Sequence, residues 1–297
     1  MKRVVILSLL TAVVVGGCSE TSGGEPDADR MSEGLAPDAV AERYGYDVEQ
    51  AEMTPVYELV PAFRDPNDPY ARDLLAAECL KGVIEYRAHN PHVAMPFMDL
   101  RSRQPIFNLE LATEFGYPYL RETEETRSME QESMVDLSDE QFQAMVECGE
   151  KTDERLGKIP DRILTVIEDA GWEYSDSDTD LIEAIEGWRT CMDPLGIPDM
   201  HDQPNPTPPK SVVPEAFEAT EIGDHEVSTV PLTDREREVA IADAKCREKV
   251  DYDFVLHAAR AEGELIAIGS DIESFEAARV EAEKYQKKIE EVLAELG

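Results

Sequence analysis

The sequence predicts a mainly α protein, and three observations carry that prediction. Apolar residues recur at three- and four-residue spacing over long stretches. Several of those stretches open on a capping residue. Period-two alternation is scarce, Glu226 to Val230 being its best example. Asp68-Pro69 opens a first helix, an acceptor followed by a proline suited to the first turn. Leu74, Leu75, Cys79 and Val83 follow at helical spacing, and Tyr86 extends the set. Ser138-x-x-Gln141 and Thr233-x-x-Glu236 each fit a capping box. Pro160 suits the first position of a short helix carrying Ile163, Leu164 and Ile167, and Asp180 suits the cap of one running through Ile182, Ile185 and Trp188 to Cys191. From Thr233 to Leu296 the chain is helix-forming throughout. Gly263 and Gly269 are its weak points and predict a kink or turn into a last helix bearing Phe275, Val280, Tyr285, Ile289 and Val292. Residues 193–231 hold eight prolines and predict a long loop excursion.

The first residues set an address. Lys2 and Arg3 precede an apolar run from Val4 to Val15, broken only by Ser8 and Thr11. That run has the length of a signal h-region and falls short of the roughly 20 residues that cross a bilayer. Val15-Gly16-Gly17-Cys18 follows, with the order of a lipobox: an aliphatic residue, two small ones, then the cysteine that takes a lipid. Residues 1–17 therefore read as a lipoprotein signal peptide and Cys18 as the lipidated N-terminus. Residues 18–37, rich in Ser, Gly, Pro and acids, read as a flexible tether. No other segment of the sequence is apolar enough to span, so the lipid is the expected membrane attachment.

The chain has 297 residues, 65 of them Asp or Glu against 28 Lys or Arg, and a formal charge of −37. Removing Lys2 and Arg3 with the leader makes the mature charge −39. Such a surface repels phosphate backbones and excludes nucleic acid as a partner. It also argues against lying flat on anionic lipid. A solvated outer surface is the simplest use of the acids.

Besides Cys18 there are Cys79, Cys148, Cys191 and Cys246. An even number in an exported chain reads as disulfides, and four cysteines allow three connectivities. An internal similarity favours one of them. Leu137-Ser138-Asp139 leads a helical run to Cys148-Gly-Glu150-Lys151-Thr-Asp153, and Leu232-Thr233-Asp234 leads another to Cys246-Arg-Glu248-Lys249-Val-Asp251. Cys79 and Cys191 each end an amphipathic run with a histidine ten residues on, His89 and His201. This order predicts two related halves, 38–158 and 159–297, closed by Cys79–Cys148 and Cys191–Cys246. Each bridge closes a loop long enough to be worth about 4 kcal/mol in chain entropy.

Tests for reactive chemistry favour bland readings. His89, His92, Met95 and Met98 offer nitrogen and thioether donors at three-residue spacing, but Pro91 and Pro96 prevent one helix from presenting all four. Asp176, Asp178 and Asp180 alternate like a calcium loop. Leu181 stands where that loop needs glycine and Gly187 where it needs glutamate, so helix capping is the better reading. No metal or cofactor is expected. Trp172, Trp188, Tyr117 and Tyr119 are candidates to line a groove. Trp188 reads as core, and Phe115-Gly116-Tyr117-Pro118-Tyr119 is the best candidate for an exposed aromatic loop.

Several short motifs stand together in this chain: Val15–Cys18, Glu78-Cys79-Leu80 with Glu85-Tyr86, Glu114-Phe115-Gly116-Tyr117, Trp188-Arg-Thr-Cys191-Met192 with Gly196, and Val239-Ala-Ile-Ala-Asp243-Ala-Lys-Cys246. In these the chain resembles secreted actinobacterial lipoproteins for which no activity is established. The resemblance implies the lipid address and the disulfides, and no mechanism. The expectation is a lipid-anchored envelope protein that binds an envelope protein or cell-wall material. The alternatives are a wall-active hydrolase using an Asp/Glu pair and a solute-binding lipoprotein of a transporter.

Overall fold

The computed structural model describes residues 34–86, 88, 98–99, 104–117, 137–213 and 232–297. The tether up to residue 33, the 226–230 strand candidate and the histidines at 89 and 92 lie outside the described residues. What is described is mainly helical. Three helices lead: α1 (Pro37–Tyr44), α2 (Pro55–Leu59) and α3 (Asn67–Leu80). A two-residue antiparallel pair follows, β1 (Met98–Asp99) with β2 (Gln104–Pro105), in the register Met98↔Pro105. Then come α4 (Leu109–Phe115), α5 (Asp139–Leu156), α6 (Asp161–Ser175) and α7 (Thr179–Met192). The chain closes with α8 (Asp234–Lys249), α9 (Tyr252–Ser270) and α10 (Ile272–Leu296).

Side-chain caps start half of these ten helices. Ser138 and Gln141 make both bonds of a capping box on α5, at 3.2 and 3.0 Å. Thr233 accepts from the Glu236 N–H at the head of α8, while the Glu236 carboxylate turns inward to the Tyr117 N–H. α7 begins two residues earlier than its sequence predicts, because Asp178 rather than Asp180 accepts the Leu181 N–H at 2.8 Å. α3 also begins earlier, at Asn67. Asp68 then lies inside its first turn and accepts from Arg72 and from the Tyr285 hydroxyl instead of capping.

Two apolar cores hold these helices. The larger takes Val40 of α1, Val56 and Tyr57 of α2, Phe63, Leu75 of α3, Leu164 and Ile167 of α6, and Leu265 and Ile268 of α9. α10 closes it with Phe275, Tyr285, Ile289 and Val292. The smaller collects Phe107, Ala112 of α4, Tyr117, Trp188 and Met192 of α7, Val212, and Val239, Ala240 and Cys246 of α8. Leu181, Ala184 and Tyr252 form a small cluster where α7 meets the start of α9. Both cores draw on residues from before and after position 158, so the boundary expected there is not a boundary in the packing.

Gly263 does not break its helix. It sits in the middle of α9, where α6 crosses at close range. A methyl group on Gly263 would stand 2.6 Å from Tyr174 Cβ and 2.8 Å from the Ala170 carbonyl. On Gly171 it would stand 2.8 Å from the Arg260 carbonyl. The turn into α10 comes at Asp271, just past Gly269, where the Leu35 N–H donates to the Gly269 carbonyl at 3.0 Å. Alanine favours a helix interior over glycine by about 1 kcal/mol, whereas forcing apart packed backbone costs about 1–3 kcal/mol. With backbone atoms already in the way, the clash wins. Gly263→Ala is expected to lose about 2 kcal/mol in urea unfolding, and unchanged or raised stability would contradict the close crossing.

Candidate functional site

The lipidation candidate Cys18 lies outside the described residues. The other four cysteines are joined in sequential order. Cys79, the last residue but one of α3, is bonded to Cys148 of α5, with Cα atoms 5.8 Å apart. Cys191, the last but one of α7, is bonded to Cys246 of α8, at 5.7 Å. Each bridge thus ties the end of a helix to the interior of the next long one.

Tyr119 lies outside the described residues, and Tyr117, Trp188 and Trp172 do not share one groove. Tyr117 was expected on an exposed loop and is instead 2 % exposed. Gly116, at φ 69°, reverses the chain so that Tyr117 points inward. Its N–H then meets Glu236 at 3.2 Å and its hydroxyl meets Asp243 at 3.0 Å. Its ring stacks on Phe107. Trp188 is buried as expected and donates its indole N–H to Asp243 at 2.8 Å. Arg247 completes the group, reaching Asp243 through Nε at 2.8 Å and Nη2 at 3.1 Å. It also donates to the Asn205 carbonyl and lies over the Phe107 ring. Burial opposes the charge on Arg247, and Asp243 outweighs burial, so its pKa is raised. Burial, then Asp243, raises that of Tyr117. Asp243 is saturated by donors of the fold itself and acts as a lock in the smaller core.

A second buried group lies at the α6–α9 crossing. Glu264 is wholly buried on α9 and accepts from Thr54 Oγ1 at 2.7 Å and the Val56 N–H at 2.8 Å. It satisfies a first-turn N–H of α2, as an N-cap side chain would. Glu168 of α6 accepts from the Tyr57 hydroxyl and from Arg64 Nη2 at 2.7 Å. Arg64 holds φ 53°, a strained conformation for a residue with a side chain, and its ion pair fixes it there. Arg260 lies over the Trp172 ring, 3.8 Å from its centroid, with Nε and Nη2 buried and without a hydrogen-bond acceptor among the described residues. Trp172 therefore forms the half-exposed outer lid of a charged interior rather than a free stacking platform.

Burial pushes the Glu264 carboxyl up to about 7, against the Val56, Thr54 and Arg260 contributions that lower it. The unfolded chain ionises this group near 4.5. Between those values the folded protein holds a proton that the unfolded chain has lost, so the glutamate's contribution to stability falls as pH rises from about 4.5 to 7. The whole change amounts to about 3 kcal/mol. Glu264→Gln removes the titration and keeps both contacts, its oxygen facing Val56 and its amide facing Thr54. The stability difference, variant minus wild type, is expected to rise across that window. A difference that stays flat from pH 4.5 to 8 would exclude a raised carboxyl.

At the start of α6, Ile159, Pro160, Asp161, Arg162, Ile163 and Val166 line an apolar depression of about 480 Å³. Val166, 55 % exposed, is the most exposed large apolar side chain among the described residues. Ile159 and Ile163 form a floor continuous with the larger core. Partial burial, then Asp68, raises the pKa of Asp161. Sequence reading placed Ile163 on a helix and missed the depression, because a groove needs Val166 left uncovered and spacing does not report cover.

Among the described residues no group of three or more His, Cys, Asp or Glu side chains is placed to hold a metal ion, and no helix is long and apolar enough to cross a membrane. Compared with protein-family models, with curated proteins and with solved structures, the chain matches none.

Proposed function

We propose that the chain is an exported lipoprotein, cut before Cys18 and held by lipid on that residue at the outer face of the cell membrane. Its helical body is then a binding or accessory module for an envelope protein or cell-wall material. The observation that carries this reading is the disulfide framework. Two bridges fix four helices of a strongly acidic body, as suits an oxidising compartment, and they stand behind a lipobox. The depression at the start of α6, set on this stapled scaffold, supports the binding role. A hydrolase reading draws less support, since Asp243, Glu168 and Glu264 each serve donors of the fold. A solute receptor of two α/β lobes finds little in a mainly helical body.

The two halves enter this reading as repeated units. Cys79 and Cys191 each stand last but one in a helix of 14 residues. Each is bridged to a helix whose N-cap hydroxyl, Ser138 or Thr233, accepts the N3 amide. We read the bridged helix pairs as copies of one unit. The anchor is tested by labelling cells with a radioactive lipid precursor. Label is expected on the wild-type protein and absent from Cys18→Ala, and equal label on both would end the reading.

A further inference from the structure

We infer that the depression at the start of α6 binds a small amphiphile with one anionic head, of the fatty-carboxylate class. The inference rests on the binding role proposed above and not on the lipid anchor. Two properties of the site lead to it.

The first is the lining. Ile159, Pro160, Ile163 and Val166 give a continuous apolar surface, and the volume of about 480 Å³ lies in the range that takes small organic molecules. An apolar tail laid there would remove Val166 from water, and such burial is favourable in proportion to the apolar area covered.

The second is the state of the arginines. Eleven arginines lie among the described residues. Nine of them pair with a carboxylate: Arg43, Arg64, Arg72, Arg155, Arg189, Arg235, Arg237, Arg247 and Arg279. A tenth, Arg260, is buried beneath Trp172. Among the described residues Arg162 is the one exposed arginine with no carboxylate within ion-pair distance, and it lines the depression. In a chain with 65 acids a guanidinium without an acid partner is conspicuous. Lys158 is exposed four residues earlier and is likewise without an ion pair among the described residues.

A guanidinium fork fits a carboxylate through two parallel hydrogen bonds, and a neighbouring ammonium adds a point charge. Apolar floor and free cation together select a ligand with a tail and an anionic head. A cationic amphiphile would meet Arg162 and Lys158 unfavourably at this face. Asp161, whose pKa is raised, also lines the depression and opposes an anion less than an ordinary aspartate would at mildly acid pH.

The test uses the full chain carrying Cys18→Ser, so that failure of the anchor and failure of this site are distinguishable. Decanoate, decyltrimethylammonium and acetate are titrated at low salt, with methyl NMR on Ile159, Ile163 and Val166 as the readout. Decanoate is expected to shift these methyl signals and to bind at least tenfold more tightly than either of the other two. Arg162→Glu and Val166→Asp both lie on the exposed surface. Each is expected to weaken decanoate tenfold or more while the helical circular dichroism stays unchanged. The inference is overturned if decanoate leaves the methyls unmoved, if decyltrimethylammonium or acetate binds equally well, or if Arg162→Glu leaves the affinity unaltered.

Discussion

Asp243→Asn is expected to cost about 3–5 kcal/mol of folding stability. Asp243 is 2 % exposed and Arg247 is 7 % exposed, so neither can recover hydration when the other is neutralised. Asparagine fills the same volume and keeps one oxygen for Trp188 or Tyr117. It cannot serve both of them and the Arg247 fork, and its amide group presents hydrogens where Arg247 also presents them. The guanidinium is left charged in the smaller core beside Phe107 and Tyr252, which stack with it but do not neutralise it. Urea unfolding followed by Trp188 emission measures the loss directly, because the indole donates to the mutated carboxylate. Asp243→Asn/Arg247→Met should recover part of the loss, since it removes the stranded charge along with its partner. A loss below about 1 kcal/mol for Asp243→Asn would mean that water reaches this core and that the lock is not dry.

The same residue shows what the sequence makes legible and what it hides. Helix existence follows from local signals: the Ser138 box, the Thr233 cap and the apolar spacing of α10 all act within a few residues of where they are written. Boundaries moved by one or two residues, in one case because a tertiary partner claimed the cap and in the other because a nearer acid capped first. Tyr285 takes Asp68, and Asp178 rather than Asp180 meets the Leu181 amide. Buried acids are hard to see because composition lets all 65 carboxylates read as surface. A signal was nevertheless present. Glu264 falls between Ala261 and Leu265 on the buried stripe of α9, and Asp243 stands among Val239, Ala240 and Ala244 on that of α8. A charge at a core-facing helical position calls for a partner. The partners, Thr54 and Val56 for one and Tyr117 and Trp188 for the other, come from distant segments that no spacing rule connects. Gly263 is misread for the same reason: within one helix a glycine is a weakness, and where it meets Gly171 of a crossing helix it is a place to touch.

Removing the first bridge with Cys79→Ala/Cys148→Ala is expected to cost about 4 kcal/mol, and removing the second with Cys191→Ala/Cys246→Ala a similar amount. The loops they close span 69 and 55 residues, and loop entropy grows too slowly with length to separate them. The local consequences should differ. α5 buries only Cys148, Thr152 and Leu156, all in its second half. Its first half leaves Phe142 48 % and Val146 42 % exposed and is tied down by the bridge to α3 and by Gln141 Nε2 donating to the Val83 carbonyl at 3.4 Å. Without Cys148 in the bridge, amides 142–147 have little buried surface to hold them, and they should exchange with deuterium at rates near those of a frayed helix. α8 by contrast buries Val239, Ala240, Asp243, Ala244 and Arg247 around Cys246. Its amides should stay protected until the whole molecule unfolds, even with the second bridge gone. Hydrogen exchange read by mass spectrometry on the two double variants separates these outcomes. If α5 stays as protected as α8, packing rather than the bridge positions it. If α8 frays instead, the Asp243 group does not hold the smaller core by itself, and the bridge and the buried charges must act as one unit.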